Sequence, residues 1–249
     1  MLRLCVCRYL AVMKSSFHFF AALVLALGIC SGNAQTVTNS PATNSISVPK
    51  PLKDFMLPAP KNGGFMMDGY VLWCSSVIKV GDTYHMFASA WPGHQTTNGW
   101  RYSLGDWTSQ SECVRATSTN LFGPYTFQEV VLQKRADKWD NSRVHNVKIV
   151  KAGKKFVLFY INSANQTGYA VADSVTGPWT RVDAPVIKAS NPAPIVNPNG
   201  SVYVFCRLRD SDGVNRGVGY IATNYDAPYE KIKDGDNLLP DGGELEDPT

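Results

Sequence analysis

Glu246 and Asp247 stand side by side immediately before Pro248. Two carboxyl groups in one site are the equipment of acid–base chemistry. One, held protonated by burial or a neighbouring charge, gives up a proton; the other, ionised, takes one or attacks. Adjacent residues of a regular strand point to opposite faces, so both serve one site only if the strand bulges there. The competing reading makes Asp247 a turn cap before the proline. Asp68, in Met67-Asp68-Gly69, is a further carboxylate candidate, or simply a turn residue. His145-Asn146 could hydrogen-bond a ligand, tune a carboxyl group, hold a central ion or bridge structural elements. His85 alternates within an apolar run and reads as packing. Glu112 reads as a salt-bridge partner of Arg115. Trp73, Trp91 and Trp100 offer flat apolar faces for stacking, whereas Trp107, Trp139 and Trp179 read as turn or core packing. Arg143 and Arg207 would bind an anionic ligand or pair with carboxylates. No phosphate loop, dinucleotide glycine motif or zinc spacing occurs.

The elements that must position these residues are strands. Apolar runs at 71–80, 84–90, 148–150, 155–161, 194–196 and 201–207 are rich in Val, Ile, Tyr and Phe, and several alternate with polar residues. Val80-Gly81-Asp82, Lys151-Ala152-Gly153-Lys154 and Asn197-Pro198-Asn199-Gly200 each join two runs, which predicts three hairpins. No capped 3.6-residue pattern appears after the N-terminal region, so little helix is expected.

The same order of features occurs three times. A hairpin is followed by a third strand (Val114-Arg115-Ala116-Thr117-Ser118, Tyr169-Ala170-Val171-Ala172, Gly219-Tyr220-Ile221-Ala222-Thr223). A turn then leads to a fourth strand: Gly123-Pro124-Tyr125, Gly177-Pro178-Trp179 and Ala227-Pro228-Tyr229. Repeats of about 50 residues with four antiparallel strands have the size of propeller blades. Glu244-Leu245-Glu246-Asp247-Pro248 opens a fourth repeat one residue before Thr249, so the expected architecture is an incomplete propeller belonging to a longer chain.

The N-terminus reads as a secretory leader over residues 1–34, with the true start at Met13. Lys14 supplies the positive charge, an apolar run spans Phe17 to Ile29, and Gly32-Asn33-Ala34 forms a cleavage site. Its removal takes away three of the 24 basic residues and none of the 20 acidic ones, leaving a near-neutral chain with no basic face for nucleic acid. The apolar run is short for a membrane span, so no stable insertion is expected after cleavage. Residues 35–50, rich in Thr, Asn, Ser and Pro, read as a linker, and 51–249 as the folded domain. The location expected is periplasmic or extracellular. Cys74, Cys113 and Cys206 remain after cleavage and read as free thiols, with a Cys74–Cys113 disulfide as the alternative. Oligomeric state is not legible.

Several motifs together resemble the five-bladed β-propellers of glycoside hydrolase family 43 and its exported bacterial relatives. They are Trp73-Cys74-Ser75-Ser76, Tyr84-His85-Met86-Phe87-Ala88-Ser89 with Trp91-Pro92, Ser111-Glu112-Cys113-Val114-Arg115-Ala116, Val144-His145-Asn146-Val147-Lys148-Ile149, the Gly-Pro-aromatic turns and Glu246-Asp247-Pro248. The likeness runs from about Phe65 to Thr249. It implies an all-β, five-bladed propeller, of which this chain holds about three blades and the start of a fourth. It also implies a carbohydrate substrate, hydrolysed by carboxylates in a central funnel lined by the heads of the innermost strands. The catalytic set implied is Glu246, Asp247 and Asp68, and the substrate-binding set is Trp73, Ser75, Trp91, His145, Asn146, Asn191 and Arg207. No cofactor is implied, although a central structural ion such as calcium is compatible with the funnel. The family places its base as an Asp-Pro on the first blade, where this chain has Trp73-Cys74-Ser75-Ser76. That departure opens a second reading, a glycan-binding propeller without catalysis.

Overall fold

A computed structural model describes residues 58, 60–96, 99–101, 106–209, 211–232 and 238, with only the backbone of 94–96 and 99–101. The chain divides into two units after Phe55, and all described residues belong to the second. The leader, the linker, Glu246 and Asp247 lie outside the described residues.

The described chain is almost wholly β. Strands β1 (Tyr70–Val80), β2 (Thr83–Pro92), a small hairpin β3 (His94–Thr96) and β4 (Gly99–Arg101), the four-residue helix α1 (Trp107–Gln110), β5 (Glu112–Ser118) and β6 (Thr126–Leu132) come first. Next are β7 (His145–Ala152), β8 (Lys155–Ile161), β9 (Thr167–Ala172) and β10 (Thr180–Arg181), then β11 (Ser190–Val196), β12 (Val202–Arg209), β13 (Asn215–Ala222) and β14 (Glu230–Lys231). They form three four-stranded antiparallel sheets, β1-β2-β5-β6, β7-β8-β9-β10 and β11-β12-β13-β14, each wound in sequence order. These are three successive blades of a β-propeller, and each contains the hairpin, third strand and fourth strand that the repeats predict.

Local chemistry sets the turns. Val80 pairs with Thr83 and Ala152 with Lys155, which leaves two-residue loops that open with Gly81 at φ +58° and Gly153 at φ +60°. A tight hairpin needs that left-handed first position, which glycine adopts without penalty. The aromatic residue of two outer turns is held identically: the Tyr125 hydroxyl donates to Leu121 O at 2.8 Å and that of Tyr229 to Tyr225 O at 3.0 Å.

The blades are glued face to face. Strand β8 carries an unbroken apolar run, Phe156 to Ile161, because both its faces are covered. Phe156, Leu158 and Tyr160 face the first blade and pack with Phe87, Cys113, Leu132 and Val147. Val157 and Phe159 face the third and pack with Ile187, Val202, Val204 and Val218. Trp179 meets Phe87 edge-on across the first seam, with ring centres 5.8 Å apart.

Two sequence expectations are corrected. Arg115 pairs with Glu129 (Nε–Oε1 2.8 Å), whereas Glu112 accepts from Gln133. Residues three apart on a strand face opposite sides, and Glu129 lies directly across from Arg115 in the neighbouring strand. The Cys74–Cys113 disulfide is absent, and the described cysteines, Cys74, Cys113 and Cys206, form no disulfide. Strand β2 lies between the strands carrying them, which puts them about two strand spacings, ~10 Å, apart, beyond disulfide reach. Burial raises the thiol pKa of Cys113 and Cys206 and keeps them protonated.

Asp140 ties the first seam. Its carboxylate is fully buried and accepts from Arg135 Nε at 2.9 Å, Arg181 Nη1 at 3.1 Å and the Tyr160 hydroxyl at 2.9 Å. Trp139 stacks on Tyr160 beside it, with ring centres 5.2 Å apart. Removing one partner of a buried charge cluster leaves the others unpaired. Asp140→Ala is therefore expected to lower unfolding free energy by about 3–5 kcal/mol, and Tyr160→Phe by about 1 kcal/mol. Urea denaturation of the two variants and the double variant checks this, and the double variant should cost less than the sum.

Candidate functional site at the heads of the inner strands

The innermost strand of every described blade breaks its register at the same point. Trp73 pairs with Ser89 and Ser76 with Phe87; His145 pairs with Ile161 and Lys148 with Phe159; Ser190 pairs with Arg207 and Ala193 with Phe205. Each inner strand thus spends three steps where its partner spends two, the signature of a β-bulge. The second residue of each bulge is left-handed: Cys74 at φ +47°, Asn146 at +50° and Asn191 at +52°. Asparagine tolerates that region better than most residues, so two of the three positions carry a suitable side chain.

The bulges bring the heads together. Asn146 Nδ2 donates to Asn191 Oδ1 at 2.7 Å, joining the second and third blades. The Asn146 amide donates to Ser89 Oγ at 2.8 Å and the Ile149 amide to Ser76 Oγ at 3.1 Å, joining the first and second. Asn146 Oδ1 is sealed from solvent without a hydrogen-bond partner. At the third blade, Ser190 Oγ donates to Arg207 O at 3.1 Å and accepts from Arg207 Nε at 3.3 Å.

His145 is the best-defined side chain of the group. Ser111 Oγ donates its single hydrogen to Val144 O at 2.9 Å, so it accepts from His145 Nδ1 at 2.8 Å. That fixes the tautomer and leaves Nε2 as an acceptor. The ring lies against Trp107 (centres 4.9 Å apart) and Trp91 (5.6 Å). Burial, and then the charge of Arg143, pulls its pKa down to about 3, so it is neutral at ordinary pH. Arg143 is itself buried, donates to Asn162 O at 3.1 Å and to Asn165 Oδ1 at 3.3 Å, and lies 4.2 Å from the centre of the Trp107 ring. Burial and Arg207 lower its pKa to about 10.

The sequence candidates distribute as follows. His145, Asn146 and Asn191 come together, with Arg207 anchored at the neighbouring head. Trp73 and Ser75 occupy the first head and are exposed, Trp73 by 56%. Trp91 is only 3% exposed and presents its ring to His145, with no face open for stacking. Asp68 is exposed on the turn before β1, where the Tyr70 amide donates to Met67 O. The Trp100 side chain, Glu246 and Asp247 lie outside the description. Trp107, read from sequence as packing, contacts both His145 and Arg143; Ser89 and Ser111 stand in the sequence motifs without a role of their own. His85 is buried and packs against Arg115, its Nδ1 3.2 Å from Nη1. Among the described residues, no three His, Cys, Asp or Glu side chains form a group able to hold a metal ion. No described helix is long and apolar enough to cross a membrane.

No protein-family model and no curated protein matches the sequence. Solved structures do match. A family 117 glycoside hydrolase of the marine bacterium Zobellia galactanivorans aligns with TM-score 0.54 at 18% identity over 67% of this chain and 57% of its own. A family 43 arabinoxylan arabinofuranohydrolase of Bacillus subtilis, solved with cellotetraose, aligns at TM-score 0.52 and 15% identity over 67% and 42%. A family 43 β-xylosidase/α-arabinofuranosidase from a compost metagenome, solved with xylotriose, gives TM-score 0.52 and 15% identity over 74% and 66%. The chain spans less than two thirds of the length of each. Its fold is that of the β-propeller glycoside hydrolases.

The neutral His145 makes stability depend on pH. The folded state refuses the proton down to about pH 3, while the unfolded chain takes it near the ordinary pKa of about 6.5. The stabilisation present above pH 6.5 is therefore lost progressively as pH falls toward 3. His85, also lowered by burial and then by Arg115, acts in the same sense. His145→Gln is expected to flatten the dependence of unfolding free energy between pH 4 and 6 by up to about 1.4 kcal/mol per pH unit, measured by urea titration at each pH.

Proposed function

We propose that this chain is an exported glycoside hydrolase that cleaves O-glycosyl bonds of oligo- or polysaccharides in the propeller funnel, with Glu246 and Asp247 supplying the carboxyl chemistry. The observation that carries this reading is the repeated bulge. Glu246-Asp247-Pro248 repeats the pattern Ser190-Asn191-Pro192, in which the middle residue is the left-handed one. In sequence, Asp247 corresponds to Asn191 and Glu246 to Ser190, and both lie outside the described residues. A bulge like those of the described heads would let two neighbouring carboxyl groups serve one site. One carboxyl group then protonates the leaving oxygen, and a second activates water or attacks the sugar. Asp68, exposed on the turn that opens β1, is a further carboxylate for the second role. Asn146, Asn191 and His145 serve as hydrogen-bonding partners for sugar hydroxyls, with Trp73 as the exposed aromatic surface.

A second reading, a glycan-binding propeller without catalysis, is favoured by one observation. The three described heads carry Trp73-Cys74, His145-Asn146 and Ser190-Asn191, and none holds a carboxylate.

The test is release of reducing sugar from a panel of plant and algal oligosaccharides by the chain lacking residues 1–34. Glu246→Gln or Asp247→Asn is expected to reduce turnover by about 100-fold or more while leaving ligand affinity within a few-fold. An inactive wild type that still binds oligosaccharide in calorimetry would establish the binding module instead.

A further inference from the structure

Arg143 is 2% exposed, yet its polar partners are a backbone carbonyl and an asparagine amide oxygen, and its guanidinium rests on an indole. The buried carboxylate of the region, Asp140, is committed to Arg135 and Arg181. No carboxylate of the described residues pairs with Arg143. Sequestering a cation without a counter-ion is costly, and it is tolerated where the charge is used.

Part of the hydrogen-bonding capacity here is unspent. The two hydrogen bonds of Arg143 engage Nε and Nη2, leaving Nη1 without a hydrogen-bond partner among the described residues. His145, against the same indole, has Nε2 as a bare acceptor once Nδ1 is committed to Ser111. Among the described residues, the side-chain atoms both sealed from solvent and unpartnered are Trp91 Nε1, Ser142 Oγ, Asn146 Oδ1, Trp179 Nε1 and Arg216 Nη1. Arg143 Nη1 and His145 Nε2 are not among them. An anchored cationic donor and an anchored neutral acceptor thus share the Trp107 indole at the head of the second blade. The Asn162–Gln166 turn braces the pair: Asn162 Oδ1 accepts the Gln166 amide, and Asn165 itself is left-handed at φ +55°.

We propose that the sugar bound at this funnel is acidic, with oxyanion oxygens of its carboxylate or sulfate ester on Arg143 Nη1 and one of its hydroxyls donating to His145 Nε2. A neutral sugar leaves the guanidinium without a charged partner among the described residues, and an oxyanion satisfies it with charge-assisted hydrogen bonds. The proposal rests on the carbohydrate reading above and narrows its substrate class; it does not require that the chain be catalytic.

The experiment is calorimetry with paired probes: trigalacturonate against its methyl ester, and a κ-carrageenan tetrasaccharide against its desulfated form, with xylotriose as a neutral reference. One acidic probe is expected to bind about tenfold or more tightly than its neutral twin at low salt, and the pair that shows the gap identifies carboxylate or sulfate. Arg143→Met should close the gap while leaving affinity for the neutral twin within about twofold. Arg143→Lys, which retains the charge but loses the planar fork, should keep part of it. Equal binding of acidic and neutral twins, or a gap that survives Arg143→Met in a folded variant, overturns the acidic-sugar proposal and leaves the carbohydrate reading standing. Binding of neither class, xylotriose included, overturns both.

Discussion

One extra residue in each innermost strand governs the rest of this structure. A regular strand would send alternate side chains into the two seams and leave the centre lined by whatever the pleat dictated. The bulges at Cys74, Asn146 and Asn191 break that alternation just where the strands begin. They turn backbone and side-chain polar groups toward neighbouring blades, where Ser76, Ser89 and Asn191 receive them. The same distortion thus holds the heads together and offers their side chains to the funnel. Because it recurs at equivalent positions, the site is a property of the repeat, and its chemistry is set by which residue each repeat places there.

Charge is arranged in two regimes. Asp140, between the first two blades, is surrounded by two arginines and a tyrosine hydroxyl, a cluster whose members are satisfied within the fold. A short distance along the chain, Arg143 and His145 are buried among neutral partners and aromatic rings, each with one nitrogen uncommitted. The first arrangement is what a structural ion cluster requires, and the second is how a site keeps unspent hydrogen-bonding capacity in a low-dielectric setting.

Hairpins and repeats were legible in the sequence because their determinants are local: period-two alternation, glycine at a left-handed turn position, an aromatic after Gly-Pro. Strand starts were less so. The apolar runs begin at Lys148 and Pro194, but the strands begin at His145 and Ser190, whose polar heads still pair across the bulge. His145, Asn146 and Asn191 stood out as polar residues at apolar strand heads. Trp107 did not, since only the return of its loop lays it on His145 and Arg143. Ser89, inside β2, and Ser111, between α1 and β5, act through single hydroxyls, which leave no trace in composition. Trp91 was misjudged for the opposite reason: β2 is an interior strand of its sheet, and its end is covered by the neighbouring blade. Glu112 was assigned to Arg115 by proximity in sequence, where pleat parity selects Glu129.

Strand β8 has a consequence for how the molecule comes into being. Its side chains wall two separate cores, one built mostly by residues that precede it and one mostly by residues 187–220, which follow. Synthesis runs in one direction, so Val157 and Phe159 emerge well before Ile187, Val202 and Val218 exist to cover them. Until then the nascent chain displays a half-finished sheet with a continuous β-prone apolar surface, a species prone to pair with its own kind. The interior strand that is best protected in the finished propeller is therefore the one most in need of a chaperone on the ribosome.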